Sequence, residues 1–504
     1  MTSDTINEHL DLLIVGAGLS GIGAAHHLQE RCPGKSYAIL EARDDLGGTW
    51  DLFRYPGIRS DSDMHTLGYR FRPWTGAKSI VDGASILHYV RQTAHDAGIV
   101  GMIRFNHRVV SVRWSTPEAC WTVEAERSDT EETVHFTCGF LLVCSGYYRY
   151  DEGHSPRFPG MERFSGTIVH PQHWPHDLDY AGKRVVVIGS GATAMTLVPA
   201  LAERAARVTM LQRSPTYVVS MPAEDAIANR LRRALGEGRS YAIVRWKNVL
   251  LQMASYQLSR HRPQLMKKLL RRGVQRALPP GYDVDTHFNP PYEPWDQRLC
   301  LVPDADLFKA ISAGSAEIVT DRIDTFTETG VKLDSGTELD ADLIVSATGL
   351  NLLFLGGIAL SVDGDAVDTS KAMTYKGMML SDVPNFAFTL GYTNASWTLK
   401  ADLTAEYVCR LLIHMDEHGY AECVPRVADS GVEEEPLMPL TAGYVLRAID
   451  QLPKQGSKPP WRLRMNYALD VPALRFGRIE DGTMRFSRSA PGVGARQPVT
   501  TSTI

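Results

Sequence analysis

Leu12-Leu13-Ile14-Val15-Gly16-Ala17-Gly18-Leu19-Ser20-Gly21 is the stretch of sequence that decides the fold. Its four leading apolar residues are typical of a buried parallel strand, and they run directly into the pattern G-x-G-x-x-G. The first glycine of this pattern permits a tight turn, the second lets the backbone approach a pyrophosphate, and the third lets the next helix pack closely. Free N–H groups at the start of that helix favour a phosphate. The stretch therefore predicts a Rossmann-like dinucleotide-binding unit.

The residues that follow strengthen this prediction. An apolar second strand, Tyr37 to Leu40, ends in Glu41, about 20 residues after Gly21. A carboxylate at this distance accepts hydrogen bonds from an unphosphorylated ribose. A lone glycine pattern is also found in turns of ordinary α/β units, but the order strand, glycines, helix, strand and acid disfavours that alternative.

The same order recurs later in the chain with one difference. The apolar run Val185 to Ile188 leads into Gly189-Ser190-Gly191-Ala192-Thr193-Ala194, and the next strand ends in Gln212-Arg213-Ser214 with no acid. A carboxylate here would repel a 2′-phosphate, whereas Arg213 can pair with one through charge-assisted hydrogen bonds. The alternative is a solvated arginine at a strand end. Sites of opposite charge imply two different nucleotides, so we expect FAD in the first unit and NADPH in the second.

The order of these motifs predicts an α/β chain with two Rossmann-like dinucleotide-binding domains. We expect residues 1–150 to begin the FAD-binding domain, 165–340 to form the NADPH-binding domain, and 341–504 to return to the FAD domain. A Pro- and Gly-rich tail is expected after about residue 430. Two strands that end in small-residue turns, Leu141 to Gly146 and Leu343 to Gly349, are expected at the crossovers between the domains.

Residues 222–280 read as a helical insertion in the NADPH domain. Between Arg230 and Arg276 there are thirteen Lys or Arg residues and one acid, Glu237, in a chain whose net charge is −5. Such an insertion is either a solvated helical surface or a basic amphipathic surface that contacts an anionic membrane peripherally. The small overall charge argues against nucleic-acid binding.

The composition bounds the class of protein. A length of 504 residues favours two or three domains, and 44% apolar with 22% charged residues is ordinary for a globular enzyme. The seven cysteines form no C-x-x-C pair, which fits neither a zinc site nor a disulfide framework and points to the reducing cytoplasm. The polar N-terminus predicts no signal peptide. Leu343 to Val362 carries no charge, but its glycines and polar residues favour a buried strand followed by a loop over a membrane span.

A specific family resemblance lies between the two glycine motifs. The segment Phe164-Ser165-Gly166-Thr167-Ile168-Val169-His170-Pro171-Gln172-His173-Trp174 resembles the F-x-G-x-x-x-H-x-x-x-W fingerprint of type I Baeyer–Villiger monooxygenases. Gly47 to Trp50, Arg54 to Gly57 and Asp61 look like the family's flavin-edge loop. Trp295-Asp296-Gln297-Arg298 sits where the family keeps its catalytic arginine. Nearly the whole chain is similar to this family, and most closely to its ethionamide-activating subgroup.

The resemblance implies the site residues and their roles. Arg298 would stabilise the anion of a C4a-peroxyflavin as it attacks a ketone, a role that suits a side chain that is always charged, and Asp61 would orient Arg298. One departure concerns the 2′-phosphate, because many family members have lysine where this chain has Gln297, so the NADPH preference depends more on Arg213. The implied cofactor-binding residues are Gly16, Gly18, Ser20, Gly21, Glu41, Gly48, Thr49, Trp50, Asp51, Leu52, Arg59, Ser60, Asp61, Val109, His170, Gly189, Ser190, Gly191, Ala192, Thr193, Ala194, Met195, Arg213 and Ser214.

We therefore expect an FAD- and NADPH-dependent monooxygenase that uses O₂ to convert ketones, aromatic or apolar, to esters, with sulfide or thioamide oxidation as a side activity. Trp50, Tyr392 and Trp397 are candidates for an apolar pocket wall. A heteroatom-oxidising flavin monooxygenase is the main alternative, and a non-catalytic flavin-binding protein is another. A disulfide reductase lacks its cysteine pair here. His170 and His173 have no third ligand nearby in the sequence, so we expect no metal site. The sequence indicates no particular oligomeric state.

Overall fold

The computed structural model describes residues 6–429 and 431–488. The polar residues 1–5 and the last part of the expected tail, 489–504, lie outside the described residues. Within the described part of the chain no helix combines the length and the apolar character needed to cross a membrane. The uncharged stretch from Leu343 begins with a buried strand, Leu343–Ser346, as predicted.

The secondary-structure elements alternate along much of the chain. In the described residues the α-helices are α1 (Leu19–Arg31), α2 (Thr49–Leu52), α3 (Met64–Leu67), α4 (Gly83–Asp96), α5 (Ala192–Leu201), α6 (Ala226–Leu235), α7 (Glu237–His261), α8 (Pro263–Ala277), α9 (Val284–Phe288), α10 (Asp306–Ser312), α11 (Trp397–His418), α12 (Gly443–Leu446) and α13 (Tyr467–Arg475). Short 3-10 helices are Ile99–Met102, Met161–Arg163, Pro171–His173, Phe354–Gly357 and Thr369–Lys371.

The strands fall into two large sheets and several small ones. In chain order they are β1 (Ile6–Val15), β2 (Tyr37–Leu40), β3 (Ile103–Arg104), β4 (His107–Ser115), β5 (Cys120–Arg127), β6 (Thr133–Val143), β7 (Tyr148–Gly153), β8 (Thr167–Val169), β9 (Arg184–Ile188), β10 (Arg207–Gln212), β11 (Val218–Met221), β12 (Cys300–Pro303), β13 (Ala316–Thr320), β14 (Ile323–Phe326), β15 (Gly330–Leu333), β16 (Glu338–Asp340), β17 (Leu343–Ser346), β18 (Leu350–Leu352), β19 (Ala359–Val362), β20 (Asp365–Ala366), β21 (Thr374–Tyr375), β22 (Met379–Leu380), β23 (Phe386–Phe388), β24 (Glu422–Pro425), β25 (Glu434–Pro436), β26 (Lys454–Gly456) and β27 (Met484–Ser487).

The first large sheet is built around β1, the strand of the first glycine motif. Its order is β20-β19-β4-β5-β6-β1-β2-β3, and β23 also pairs with β6. β1 is parallel to β2 and β6, so the turn after β1 and the turn after β6 open at the same edge. One face of the sheet packs against α1, α4 and α11, and the other face carries a second apolar core. Burial on both faces explains the unbroken apolar run of β1.

The second large sheet is all parallel, in the order β13-β10-β9-β17-β8. It is a Rossmann-like sheet that contains the second glycine motif after β9, so the two predicted dinucleotide-binding folds are both present. Its strand β17, which lies between β9 and β8, comes from residues beyond the domain boundary that the sequence predicts at 340. The boundary is therefore a few residues later, because Leu343 to Val345 pair with both β8 and β9.

The two crossovers between the domains meet each other. β7 follows the turn after β6, β18 follows the turn after β17, and the two strands pair antiparallel. The imidazole of His170 donates from Nε2 to the backbone oxygen of Gly349, 3.2 Å away. A Cβ on Gly153 would lie 2.0 Å from the same imidazole ring. The fingerprint histidine therefore packs at the crossover and links the two connecting segments.

Residues 431–488 are folded, which corrects the expectation of a tail from about residue 430. Leu437 and Val445 lie in one core of the first sheet, and Trp461, Leu474 and Met484 lie in the other. These side chains bury apolar surface of the FAD domain, so the C-terminal segment completes that domain.

The helical insertion is present and connects the two domains. α8 contributes Val274 to the core of the NADPH domain. α7 instead lies on the FAD domain, where Val249 joins the core and the guanidinium of Arg245 donates to the backbone oxygens of His65 (2.8 Å) and Gly68 (2.7 Å). Buried carbonyl groups need donors, and Arg245 supplies them to the segment around α3.

Candidate active site

A cavity of about 620 Å³ lies where the two domains meet, within the usual range for a ligand pocket. Both glycine motifs reach it, since its wall includes Gly16 and Gly18 from the first domain and Ala192 from the second. Other lining residues that the sequence predicted are Ser20, Glu41, Gly48, Thr49, Trp50, Arg59, Ser60, Asp61, Val109, Arg298, Tyr392 and Trp397.

The first glycine motif forms a close-packed backbone cradle. Gly16 has φ +101°, and a Cβ there would lie 2.8 Å from the backbone oxygen of Cys144. A Cβ on Gly21 would lie 1.9 Å from the backbone oxygen of Gly16. Gly18, the residue that caps the N-terminus of α1, lies in the wall of the cavity. This geometry admits the backbone approach to a pyrophosphate that the pattern predicts.

Glu41 lies at the end of β2, beside this cradle. Its carboxylate accepts hydrogen bonds from the backbone N–H of Ala17 (2.6 Å) and of Arg43 (3.0 Å), and its side chain lines the cavity. Burial raises the pKa of Glu41, and these N–H donors oppose the rise. The carboxylate is thereby fixed in orientation, as ribose recognition requires. The cradle and the acid together fit an FAD molecule.

Arg298 is a cation surrounded by phenolic oxygens. Its guanidinium donates to the hydroxyl of Tyr147 (3.2 Å) and to that of Tyr444, and Tyr147 contacts the hydroxyl of Tyr148. The pKa of Arg298 is raised by Tyr147, and Tyr444, Tyr148 and Asp61 add to that rise while burial opposes it. The Nε atom is buried and has no hydrogen-bond partner among the described residues. A permanently charged side chain thus lines the cavity.

Asp61 faces the same cavity from the loop after α2. Asp61 lines the cavity and is accessible to solvent, while many protein atoms lie around its carboxylate. This burial raises the pKa of Asp61, and the positive charges of Arg298 and Arg59 oppose the rise. Arg59 in turn pairs with Asp306 of the NADPH domain at 2.5 Å. The acid, both arginines and the domain contact therefore form one electrostatic group.

An aromatic wall closes the cavity beside Arg298. The ring of Trp397 stacks on that of Tyr147 with 5.1 Å between centroids, and its indole N–H donates to the hydroxyl of Ser20 at 2.8 Å. Trp50 and Tyr392 also line the wall, in agreement with the sequence interpretation. Apolar rings around a charged group exclude water and strengthen its electrostatic field.

The second glycine motif lies at the start of α5. Gly189 has φ +137°, and its Cβ would lie 2.3 Å from the backbone oxygen of Ala347, whereas a Cβ on Gly191 would meet nothing within 4 Å. The hydroxyl of Ser190 donates to the backbone oxygen of Ser214 at 3.0 Å. The side chain of Arg213, the residue before Ser214, is exposed. The motif is thus open to a second nucleotide with a cation beside it.

Several predicted cofactor-binding residues do not line the cavity. Asp51 is 1% exposed and faces away from it, because its carboxylate accepts hydrogen bonds from Arg43, Arg54 and Arg91. His170 lies at the crossover described above. The others are Gly21, Leu52, Gly189, Ser190, Gly191, Thr193, Ala194, Met195, Arg213 and Ser214.

Those other residues fall into two groups. Gly21 packs against Gly16, and Leu52 packs against the core of the NADPH domain. The remainder belong to the second motif and its neighbouring strand, which open beside the cavity. Thr193 hydrogen-bonds with the hydroxyl of Tyr55, and the backbone oxygen of Met195 accepts from Arg59 at 3.5 Å.

The sequence interpretation missed the tyrosines around Arg298. Tyr147 and Tyr148 follow directly after the turn at the carboxyl end of β6, which is where open α/β sheets bind ligands. That rule was a usable signal for these two residues. Tyr444 comes from α12, far along the chain, and no local pattern marks it.

Two dinucleotide cradles beside one cavity that is lined by a half-buried arginine are the arrangement expected of a flavoprotein oxidoreductase with a second nucleotide site. The profile of flavin-binding monooxygenase-like proteins matches residues 77–385, and the profile of NAD(P)-binding Rossmann-like domains matches residues 14–75. The FAD-containing monooxygenase EthA of Mycobacterium tuberculosis is 59% identical over 490 residues, which cover 97% of this chain and 100% of that protein. Its counterpart in Mycolicibacterium smegmatis is 54% identical over 491 residues, covering 97% and 99%.

The chain therefore belongs to the flavin-binding monooxygenase-like family. The predicted enzyme class, an FAD-containing flavin monooxygenase, is confirmed by these findings.

Solved structures share the whole fold. An oxidized steroid monooxygenase bound to NADP superposes with a TM-score of 0.74 at 23% identity, covering 95% of this chain and 99% of that one. A cyclohexanone monooxygenase from Rhodococcus bound to NADP⁺ gives a TM-score of 0.69 at 20% identity, covering 83% and 86%. At these identities the likeness concerns the fold, and it confirms the predicted two-domain α/β architecture.

Proposed function

We propose that this chain is a Baeyer–Villiger monooxygenase that uses NADPH and O₂ to convert aromatic or apolar ketones to esters. The observation that supports this proposal most directly is Arg298, a half-buried cation that lines the cavity and is held by tyrosine hydroxyls. Oxygen insertion beside a carbonyl builds negative charge on oxygen, and a fixed guanidinium stabilises such charge without reorganisation.

The chain's own groups then have distinct tasks. FAD, when bound and reduced by NADPH, supplies the electrons that activate O₂. The guanidinium of Arg298 binds the developing anionic oxygen, and the hydroxyls of Tyr147 and Tyr444 hold that guanidinium in place. The charge of Asp61 balances that of Arg298, so the cation is not buried alone.

The aromatic wall selects the substrate class. Trp50, Trp397 and Tyr392 line the cavity that Arg298 also lines, and aromatic side chains there suit an aromatic or apolar group next to the carbonyl. The same wall keeps bulk water from the reacting oxygen and so limits unproductive loss as hydrogen peroxide.

A heteroatom-oxidising monooxygenase is the alternative function. Oxidation of a sulfide or an amine needs an electrophilic, protonated oxygen, whereas a permanent cation stabilises an anionic, nucleophilic one. The position of Arg298 therefore favours carbonyl attack as the main activity, with oxidation of sulfides or thioamides beside it.

Paired substrates test the proposal. An aryl methyl ketone and the sulfide of the same skeleton are compared for kcat/KM and for product formed per NADPH consumed. Baeyer–Villiger activity gives the ester with a high product yield per NADPH. Sulfoxide formation that far exceeds ester formation across several such pairs would favour the alternative.

Arg213→Ala tests the assignment of the second nucleotide site. Loss of one or two charge-assisted hydrogen bonds to a 2′-phosphate, about 1.5–3 kcal/mol each, raises the KM for NADPH. The KM for NADH, which lacks this phosphate, stays nearly the same. Arg204→Ala, a surface arginine of the same domain (60% exposed side chain), is the matched control. Equal losses for both nucleotides would contradict the assignment.

We also propose peripheral contact with anionic membranes through the face formed by α7 and α8. Several apolar residues of this face are partly exposed: Ile243, Trp246, Leu250 and Leu251 of α7 and Leu265 and Leu269 of α8 are 40–60% exposed, although the ring of Trp246 also contacts that of Tyr467. Among the described residues, the cations Arg239, Arg262, Lys268 and Arg272 of the same helices are exposed and show no carboxylate partner. Apolar side chains rimmed by free cations fit an anionic lipid surface.

Vesicle co-sedimentation tests this contact. We expect binding to anionic vesicles at low salt, little binding to neutral ones, and weakening of about 2 kcal/mol in the double variant Lys268→Ala/Arg272→Ala, since each basic residue near the surface contributes about 1 kcal/mol. Leu250→Ser/Leu251→Ser also weakens binding, whereas Val427→Ser, an exposed apolar residue elsewhere, does not. Equal sedimentation with both vesicle types, or none with either, contradicts the proposal.

A further inference from the structure

The last turn of α11 brings three ligand-type side chains together. His414, Glu417 and His418 form the sequence pattern H-x-x-E-H, and residues three and four apart share one face of a helix. One nitrogen of each imidazole and one carboxylate oxygen lie within 4.8 Å of one another. The two imidazole rings have centroids 4.2 Å apart. No pattern in the sequence analysis pointed to this group.

The surroundings fix both imidazoles for ligation. Nδ1 of His418 donates to the backbone oxygen of His414 at 2.9 Å, which leaves the lone pair of Nε2 free. Nε2 of His414 donates to Oε1 of Glu480 at 3.0 Å, which leaves Nδ1 free. Ligating histidines in metalloproteins are held in this way, with the second ring nitrogen donating to a carboxylate or a carbonyl.

Packing limits the motion of the rings. The ring of His418 stacks on Tyr420 with an interplanar angle of 6°, and that of His414 contacts Phe486 edge-on. The hydroxyl of Tyr420 donates to the same oxygen of Glu480 at 3.4 Å. The neighbouring acid Asp416 pairs with Lys35 instead. The cation Arg488 lies over Tyr420 and donates to the backbone oxygen of His418.

We propose that His414, Glu417 and His418 bind a divalent transition-metal ion, with Zn²⁺ as the ion that this ligand set suits. Two imidazoles and one carboxylate form a ligand set that zinc accepts, with a fourth position open to water. Softer or harder sets would favour other metals. The end of a helix also carries partial negative charge, which favours a cation there.

The role of this site is structural. α11 begins at Trp397 in the cavity wall and ends at the metal ligands, and a helix of 22 residues is roughly 33 Å long. The ion therefore lies too far from the cavity to touch a reacting atom. It would instead hold the end of α11 against the C-terminal segment, since Glu480 connects His414 to the loop before β27.

Calorimetric titration of the chelator-treated, FAD-loaded enzyme with ZnCl₂ tests the proposal. We expect one equivalent to bind and the melting temperature to rise with Zn²⁺. His418→Ala and Glu417→Gln remove a ligand and abolish this binding event. Glu480→Gln weakens it by roughly 10- to 100-fold, as for other outer partners of ligating histidines.

The control is His95→Ala, because His95 is 86% exposed on α4 and belongs to no such group. It leaves stoichiometry and affinity unchanged. Melting curves without Zn²⁺ establish that each variant is folded. Absence of a stoichiometric binding event in the wild type, or an event that persists in His418→Ala, overturns the proposal. Neither outcome depends on the oxygenation reaction.

Discussion

We expect Arg298→Ala to lose nearly all ester formation while NADPH still reduces the flavin. The expected loss in the rate of product formation is roughly 10²- to 10³-fold, the usual effect of removing one charge-stabilising donor from an active site. NADPH oxidation continues because the cradle residues of both nucleotides are intact. The electrons then appear as hydrogen peroxide, so the ratio of ester to NADPH consumed is the sensitive readout.

Two further variants make the Arg298 result specific. Arg298→Lys keeps the charge but loses the planar fork that contacts Tyr147 and Tyr444, so it restores only part of the activity. Arg163→Ala, a 68% exposed arginine side chain in the short 3-10 helix Met161–Arg163, keeps full activity. Ester formation at a near wild-type rate in Arg298→Ala would show that another group stabilises the anion.

Gly21→Ala produces a protein that lacks FAD. The new Cβ would lie 1.9 Å from the backbone oxygen of Gly16, and backbone on both sides cannot yield. Overpacking of this kind costs about 3 kcal/mol or more, and it displaces the turn on which the pyrophosphate binds. The ratio of flavin absorbance to protein measures the loss, and circular dichroism reports whether the rest of the chain folds.

The second motif supplies the comparison for Gly21. The third position of the second glycine motif is Ala194, which is fully buried. The contact between helix and strand in the second motif therefore already accommodates a Cβ. Gly191→Ala adds a Cβ in open space, so we expect unchanged FAD content and a higher KM for NADPH. A normal flavin content in Gly21→Ala would mean that the first cradle does not hold FAD as described.

The parts of the fold that the sequence predicted are those specified by local patterns. Both βαβ units follow from apolar strands, glycine turns and helical spacing within short segments. The two predictions that the structure corrects are the domain boundary at 340 and the tail from about residue 430. Both concern segments whose partners lie far away in the chain. Leu343–Ser346 reads as a buried strand in either sheet, and only its pairing with β8 and β9 assigns it. Trp461 and Val445 lie in a Pro- and Gly-rich region, and their burial depends on the completed FAD sheet.

In the candidate site, too, local patterns locate some residues, whereas the positions of others depend on distant parts of the chain. Gly16, Gly18, Glu41 and Asp61 line the cavity, and glycine spacing and family likeness located them in the sequence. Asp51 does not line the cavity, because three arginines bind its carboxylate, and no spacing rule reveals these contacts. Local sequence patterns did not single out His414, Glu417 and His418 on α11, because Glu480 and Tyr420, which lie in other segments, set the orientations of the two imidazole rings.

Oxygen transfer to a ketone is the central claim, and isotope-labelled product analysis tests it most directly. The FAD-loaded enzyme is given NADPH, an aryl ketone and ¹⁸O₂, and the products are separated and their masses are measured by mass spectrometry. We predict an ester that carries one ¹⁸O atom, formed nearly in proportion to the NADPH consumed, and absent with Arg298→Ala. Unchanged ketone with all reducing equivalents recovered as peroxide, across a panel of aromatic and aliphatic ketones, would contradict the account.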